Sequence, residues 1–338
     1  MPESVSRPGA STIRLVQALR AAARLMVVIY HATRAVSPDR GWTNGAAGVD
    51  LFFVISGFVM LRSSRGLMGV RGGWASFLAR RVYRLVPLYW TLTAAKLLFT
   101  SLRPALAPLT HPTAGSVLAD LLFIPARDGA GIVRPLLAVG WTLNFEFFFY
   151  ALFAACVAAR LHPLWMSPFL MGLAVTGFWH DDAWPAPFYL ANGLVLEFAA
   201  GMALAALPTR LGTRTALCVG VAGFALLFIV PSLGPWRCIM WGVPAACVVA
   251  AAITLEPKGG ARVPDPLVAV GDASYAIYLV HPFVVAALTR YGVAPILAAS
   301  IAAGMLVHRV VDARLQRVLI VRMRQSKGRK ARALPWTR

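Results

Sequence analysis

Residues 46–63 read A-A-G-V-D-L-F-F-V-I-S-G-F-V-M-L-R-S, with Asp50 the one charge before Arg62. A helix that crosses the hydrocarbon layer of a bilayer needs about 20 mostly apolar residues, and this stretch nearly supplies them. Working outward, similar stretches lie near 15–36, 85–102, 138–159, 162–179, 189–207, 215–232, 237–255, 266–287 and 292–311, set apart by Pro, Gly and charge. The expected fold class is therefore all-α: a polytopic integral membrane protein of about ten transmembrane helices. Composition agrees. Of 338 residues 59% are hydrophobic and 14% charged, with a mean hydropathy of +0.68, where a soluble domain carries roughly 25% charged residues. This excludes a soluble globular protein. The domain reading is a cytoplasmic segment over 1–14, a transmembrane domain over 15–312 and a basic cytoplasmic tail over 313–338. Two further stretches look interfacial or short. Residues 74–85 place Trp74, Phe77, Leu78, Val82 and Leu85 on one face bordered by arginines, and 116–124 is apolar but too short to span.

The net charge is +20. In a soluble protein that would suggest nucleic acid; here no nucleic-acid partner is expected, and Lys and Arg mark cytoplasmic loops and attract anionic lipid. With the N-terminus inside, the basic residues crowd the segments before Arg24, from Arg62 to Arg84 and after Arg309. The opposite side holds Arg34, Arg40, Arg103, Arg127, Arg134, Arg237 and Arg290, and Lys96 lies within a span. Both termini are therefore expected in the cytoplasm, with the chain in a bacterial inner membrane. Four cysteines sit inside apolar runs without a CxxC pair, so neither a disulfide framework nor a metal site is expected.

A charge at membrane depth is costly and marks a functional candidate. Arg20, Arg24, Val27 and His31 share one face of the first helix. Arg20 and His31 are separated by about 16 Å along the axis. Guanidinium can bind phosphate bidentately, and imidazole can move a proton near neutral pH or carry an acyl group. A snorkelling arginine pair with a structural histidine is the plain alternative. Asp50, near the outer end of the neighbouring antiparallel helix, is expected to orient His31 or else to cap its own helix. Gly48 and Gly57 allow close helix packing. Arg80, Arg81 and Arg84 precede Pro87-Leu88-Tyr89-Trp90, as a basic anchor or, taken with Arg20, an anion pocket. Asn144 and Glu146 lie in an aromatic run, Glu197 is a second intramembrane acid, and Ser274, Tyr278 and His281 share a face that can line a polar cavity. His111, His162, His180 and His308 carry no functional expectation.

Six segments in order, LRAAARLMVVIYH, GVDLFFVISGF, RRVYRLVPLYW, GWTLNFEFFFYALF, LEFAAGMALA and GDASYAIYLVHPF, resemble the acyltransferase-3 family of bacterial membrane O-acyltransferases, from about residue 14 to 312. The glutamate run looks most like the exopolysaccharide-production branch. The resemblance implies a ten-helix bundle that draws acyl-CoA, acetyl-CoA first, from the cytoplasm and delivers the acyl group to a sugar hydroxyl at the outer face. It assigns catalysis to His31, Asp50 and Glu146, and the CoA phosphates to Arg20, Arg81 and Arg84, with Arg24 added. It gives Asn144, Glu197, Ser274, Tyr275, Tyr278 and His281 to the acceptor side. No metal is implied. The partners are a polysaccharide or glycolipid acceptor, membrane lipid, and the machinery of polysaccharide synthesis and export. Two departures stand out: Arg24 replaces a small or apolar residue, and Val16-Gln17-Ala18-Leu19 replaces a leading acid. The segment after 312 is too short for the soluble esterase-like domain that some relatives carry. The rival readings are a glycolipid transporter or flippase, against which no repeat is evident, and a non-catalytic export scaffold.

Overall fold

The computed structural model of the chain describes residues 13–103, 111–181, 183–208, 211–232, 234–312 and 314. Its main elements are α1 (Arg14–Val36), α2 (Ala47–Ser64), α3 (Gly73–Leu102), α4 (Ala114–Leu121), α5 (Trp141–Ala158), α6 (Ser167–Thr176), α7 (Leu194–Ala206), α8 (Thr213–Ile229), α9 (Val243–Gly259), α10 (Asp265–Asp272), α11 (Ser274–Leu288) and α12 (Val293–Val307). Among the described residues the extended pairing is confined to one bridge, Arg127 with Val133. Residues 1–12 and, apart from position 314, the expected basic tail over 313–338 lie outside the described residues.

Helix falls on all ten apolar stretches, but not every helix has the length of a span. Six are long and apolar enough to cross a membrane, and a bent pair formed by α10 and α11 makes seven if counted as one crossing. α6, α7 and α8 have 10, 13 and 17 residues, short of the roughly 20 that a crossing needs. The protein is a multi-pass helical membrane protein with six or seven candidate spans, where the sequence pattern alone suggests ten. The separate surface helix expected over 74–85 is also corrected. It is the first part of α3, a single 30-residue helix that contains Pro87. Proline disfavours helix in the residue before it, but a lost helical hydrogen bond is tolerated in apolar helices packed by neighbours. Trp74 and Val82 do remain exposed, while Phe77 and Leu85 are buried.

The chain divides into two compact units. The first comprises residues up to 27, then 43–66 and 193–272. Its centre is the crossing of α2 and α7. A Cβ added at Gly57 would come within 2.2 Å of the Phe198 carbonyl oxygen, and one at Gly201 within 2.0 Å of the Val54 oxygen. The two glycines thus let the backbones touch, the small-residue packing that apolar helices use in place of a hydrophobic drive. Gly48 does the same against the Ala23 carbonyl, as expected from sequence. The start of α1 is fixed by Glu256, whose carboxylate accepts from the backbone amides of Arg14 (2.7 Å) and Leu15 (2.8 Å). A carboxylate there answers both the unpaired amides and the positive end of the helix dipole. At the far end of α8, Asn44 Nδ2 donates to Phe228 O (2.7 Å) and Val230 O, and Trp241 Nε1 donates to Val230 O (2.7 Å). Those carbonyls would otherwise be orphaned.

The second unit comprises 28–42, 67–192 and 273 onward. Phe77 stacks on Phe153 with ring centroids 4.5 Å apart, and Gly304 lets α12 close on Ile277 of α11. In α4, outside the candidate spans, the buried Asp120 accepts from the Tyr89 hydroxyl and from Leu136 N. Burial pushes its carboxyl up from the ordinary 3.8 to about 6, only partly offset by these bonds. The folded protein therefore holds this proton more tightly than the unfolded chain, so stability falls as pH rises from about 4 and levels off above about 6.

Two tests follow. Gly201→Val drives a branched side chain into the α2 backbone and should lower the stability of the solubilised protein by about 1–3 kcal/mol or more, read as a drop in Tm. Asp120→Asn should flatten the change in Tm between pH 4 and 6.5, a change worth roughly 3 kcal/mol in the parent protein; an unaltered slope assigns it to another group.

Candidate active site

The second unit brings together three of the expected residues. His31, near the end of α1, faces His281 of α11, with ring centroids 5.1 Å apart. His281 is fully buried. Its Nδ1 lies 2.7 Å from the Tyr278 carbonyl oxygen. A carbonyl can only accept, so Nδ1 carries the hydrogen and, in the neutral ring, Nε2 keeps its lone pair. Tyr278 donates its hydroxyl to Val139 O (2.8 Å) and meets the Thr142 hydroxyl at 3.0 Å. The Thr142 hydroxyl also reaches the Val139 carbonyl oxygen at 3.3 Å, so the two hydroxyls share that acceptor and either can donate to the other. Thr142, unremarked in the sequence, is drawn into the site because it begins the helix that also carries Asn144 and Glu146.

One turn further along α5, Tyr150 donates to Glu146 Oε2 at 2.7 Å. The Arg81 guanidinium lies 5.5 Å from the Phe77 ring centre and 5.8 Å from that of Tyr150, a cation held over aromatic faces. Tyr275 is spent on structure, donating to Leu85 O at 2.7 Å next to the turn that Pro87 interrupts. Ser274 Oγ and Asn144 Oδ1 are buried and find no hydrogen-bond partner among the described residues. They are the polar atoms of this group that a substrate can satisfy. Arg84 is half-buried on the same helix as Arg81.

The first unit holds the remaining candidates. Arg20 donates to Gln17 Oε1 at 3.0 Å, and the buried Arg24 sits 4.7 Å over the Phe52 ring. Neither is a surface arginine. Asp50 is fully buried in α2. Its hydrogen bonds come from Arg237, Nε to Oδ1 at 2.9 Å and Nη2 to Oδ2 at 2.7 Å, and the cation also lies 4.9 Å over Trp241. The pairing is bidentate, the geometry a planar fork and a carboxylate prefer. Glu197 is buried in α7 with its carboxyl against Gly242. Sequence reading missed Arg237 because 187 residues separate it from Asp50; its visible signal was a charge ahead of an apolar stretch. Among the described residues no group of His, Cys, Asp and Glu could hold a metal ion.

A multi-pass helical bundle with paired imidazoles, a tyrosine hydroxyl and a carboxyl buried among aromatic rings is the architecture of a membrane-embedded group-transfer enzyme. The family described as "Acyltransferase domain" matches residues 14–309, and the chain belongs to this acyltransferase-3 family; it is an O-acyltransferase. It is 34% identical over 285 residues to the "Exopolysaccharide production protein ExoZ" of Rhizobium meliloti (strain 1021), covering 79% of this chain and 84% of that one. It is 28% identical to the "Putative membrane-bound transacylase BcsY" of Komagataeibacter xylinus, over 79% and 72% of the two chains. It is 27% identical to "Acyltransferase MdmB" of Streptomyces mycarofaciens, over 82% of each. No solved structure matches.

Removing one partner of a buried ion pair leaves an uncompensated charge and costs about 3–5 kcal/mol. Arg237→Met should therefore sharply reduce the folded protein recovered from membranes. The double variant Asp50→Leu with Arg237→Met should regain most of it; a double variant as poor as the single one would assign Arg237 a role apart from Asp50.

Proposed function

We propose that the protein moves an acyl group, acetyl first, from cytoplasmic acyl-CoA to a hydroxyl of an exopolysaccharide or of its lipid-linked precursor. The observation that carries this reading is the His31–His281 pair, set beside the Tyr278–Thr142 hydroxyls in a chain of acyltransferase family. The similarity to a protein named for exopolysaccharide production supports the acceptor.

His31 is the general base. It takes the proton of the acceptor hydroxyl as that oxygen attacks the thioester carbonyl. The new ester C–O bond forms, the C–S bond breaks, and the proton passes to the departing thiolate to give free CoA. If instead the imidazole attacks first, an acyl-histidine forms, CoA leaves, and the sugar hydroxyl takes the acyl group in a second step. His281 holds one tautomer through its bond to the Tyr278 carbonyl and keeps the neighbouring ring in place. Glu146, steadied by Tyr150, is the acid of the site. Ser274 and Asn144 meet acceptor hydroxyls, and Tyr275 supports their helix; Glu197 acts through Asp50. Arg20 and Arg24, on the same helix as His31, are assigned to the phosphates of CoA, and Arg81 and Arg84 to the same negative charge from α3. We assign the chain to the bacterial inner membrane with both termini cytoplasmic, the shorter apolar helices completing ten crossings by thinning the bilayer around them.

The test uses purified protein in lipid nanodiscs, radiolabelled acetyl-CoA and an exopolysaccharide acceptor. His31→Ala should lower transfer by about 10²–10⁴-fold, the usual worth of a general base, without loss of Tm. Full transfer by this variant removes His31 from the chemistry. Label retained on the parent protein in the absence of acceptor selects the acyl-histidine route.

A further inference from the structure

The second unit holds a cavity of about 640 Å³, within the 300–1,000 Å³ typical of small-molecule sites. Two of its walls run directly into the site above. Pro282 and Phe283 follow His281 in α11, and Leu137 and Ala138 precede the Val139 whose carbonyl anchors Tyr278. The remaining wall is made by the end of α3 and by residues 111–136.

Its chemistry is uneven. Lys96 lines it from within an apolar span, where an ammonium is costly unless it serves a purpose. Lys96 makes no ion pair or hydrogen bond with any described residue. The single carboxylate in the lining, Asp128, is already committed. It accepts from Ala130 N, Ile132 N and Arg134 Nε, the last at 2.6 Å. Arg134 uses only Nε in that pair, and its two Nη nitrogens have no partner among the described residues. Hence the cavity carries an unanswered positive charge. Phe99 and Phe283 offer ring faces of the kind on which the C–H face of a sugar packs, and Ser116 and His111 offer hydrogen bonds.

We infer that this cavity is the acceptor subsite and that it takes an acidic sugar residue, whose carboxylate pairs with Lys96 while its ring rests on Phe99 and Phe283. The inference rests on the acyltransferase reading for the direction from which the acceptor arrives, and adds to it the charge of the substrate. A carboxylate hydrogen-bonded to the half-buried Lys96 ammonium is worth about tenfold in affinity. An anionic lipid headgroup presents the same charge, but makes no use of the two ring faces or of a position one residue from His281.

The experiment measures binding to the whole protein in phosphatidylcholine nanodiscs, without acyl donor. The probes are an oligosaccharide of alternating glucose and glucuronate and the same oligosaccharide with its carboxyls reduced to alcohols. The acidic form should bind at least about tenfold more tightly. Lys96→Met should abolish that preference at unchanged Tm, and Lys96→Arg should keep most of it. Equal binding of the two oligosaccharides, no binding of either, or a preference that survives Lys96→Met overturns the inference. So does loss of acidic-oligosaccharide binding on replacing phosphatidylcholine with phosphatidylglycerol, which would give the cavity to lipid. Because no donor is present, a protein that binds the acidic probe through Lys96 yet transfers nothing faults the transfer chemistry alone, and one that acylates both oligosaccharides equally faults this inference alone.

Discussion

No water reaches the hydrocarbon layer to satisfy a stray polar atom, so each one must find its partner within the chain. The internal details of both units follow from this constraint. Glu256 answers the first amides of α1, Asn44 and Trp241 answer the last carbonyls of α8, and Tyr275 answers a carbonyl beside Pro87. Asp50 is tolerated at full burial because Arg237 meets both of its oxygens. Against these matched groups, a buried side chain that keeps capacity for a further bond stands out. Ser274 and Asn144 do so inside the second unit, Ser274 four residues before Tyr278 and seven before His281.

The same dryness suits acyl transfer. Water is itself a nucleophile and would hydrolyse a thioester or an acyl-imidazole, so a site that keeps it out protects the activated group until the intended hydroxyl arrives. Aromatic rings do the excluding here. Phe77, Phe153 and Tyr150 crowd the level of Glu146, and each is buried. They also give Arg81 faces to lie over where water would otherwise solvate it. The aromatic density of the run from Trp141 to Tyr150 is therefore chemical insulation as well as packing.

Much of this was legible in the sequence. Helix positions were, because apolar stretches broken by Pro, Gly and charge mark them; span number was legible in part, six or seven of the ten stretches carrying helix long enough to cross and α6, α7 and α8 ending earlier than composition suggests. Spacing placed Ser274, Tyr278 and His281 on one face, and the structure sets His281 against His31. Partner choice across long sequence separations was beyond reach. Nothing local to Asp50 says that its arginine comes 187 residues later, and nothing local to Thr142 says that its hydroxyl meets Tyr278, 136 residues on. The continuity of α3 through Pro87 was hidden too, since a proline reads as a boundary until neighbouring helices are known.

The turn around Asp128 has a further consequence. Asp128 N donates to Ile132 O at 2.9 Å while its carboxylate gathers Ala130 N, Ile132 N and Arg134, and Arg127 reaches Gly131 O and Trp184 O. Such a segment is shaped mainly by bonds within itself, with outside ties to Trp184 and, through Gly129 N, to His111 O. A substitution on its rim therefore changes the wall of the cavity beside α11 while leaving the turn's own hydrogen bonds in place.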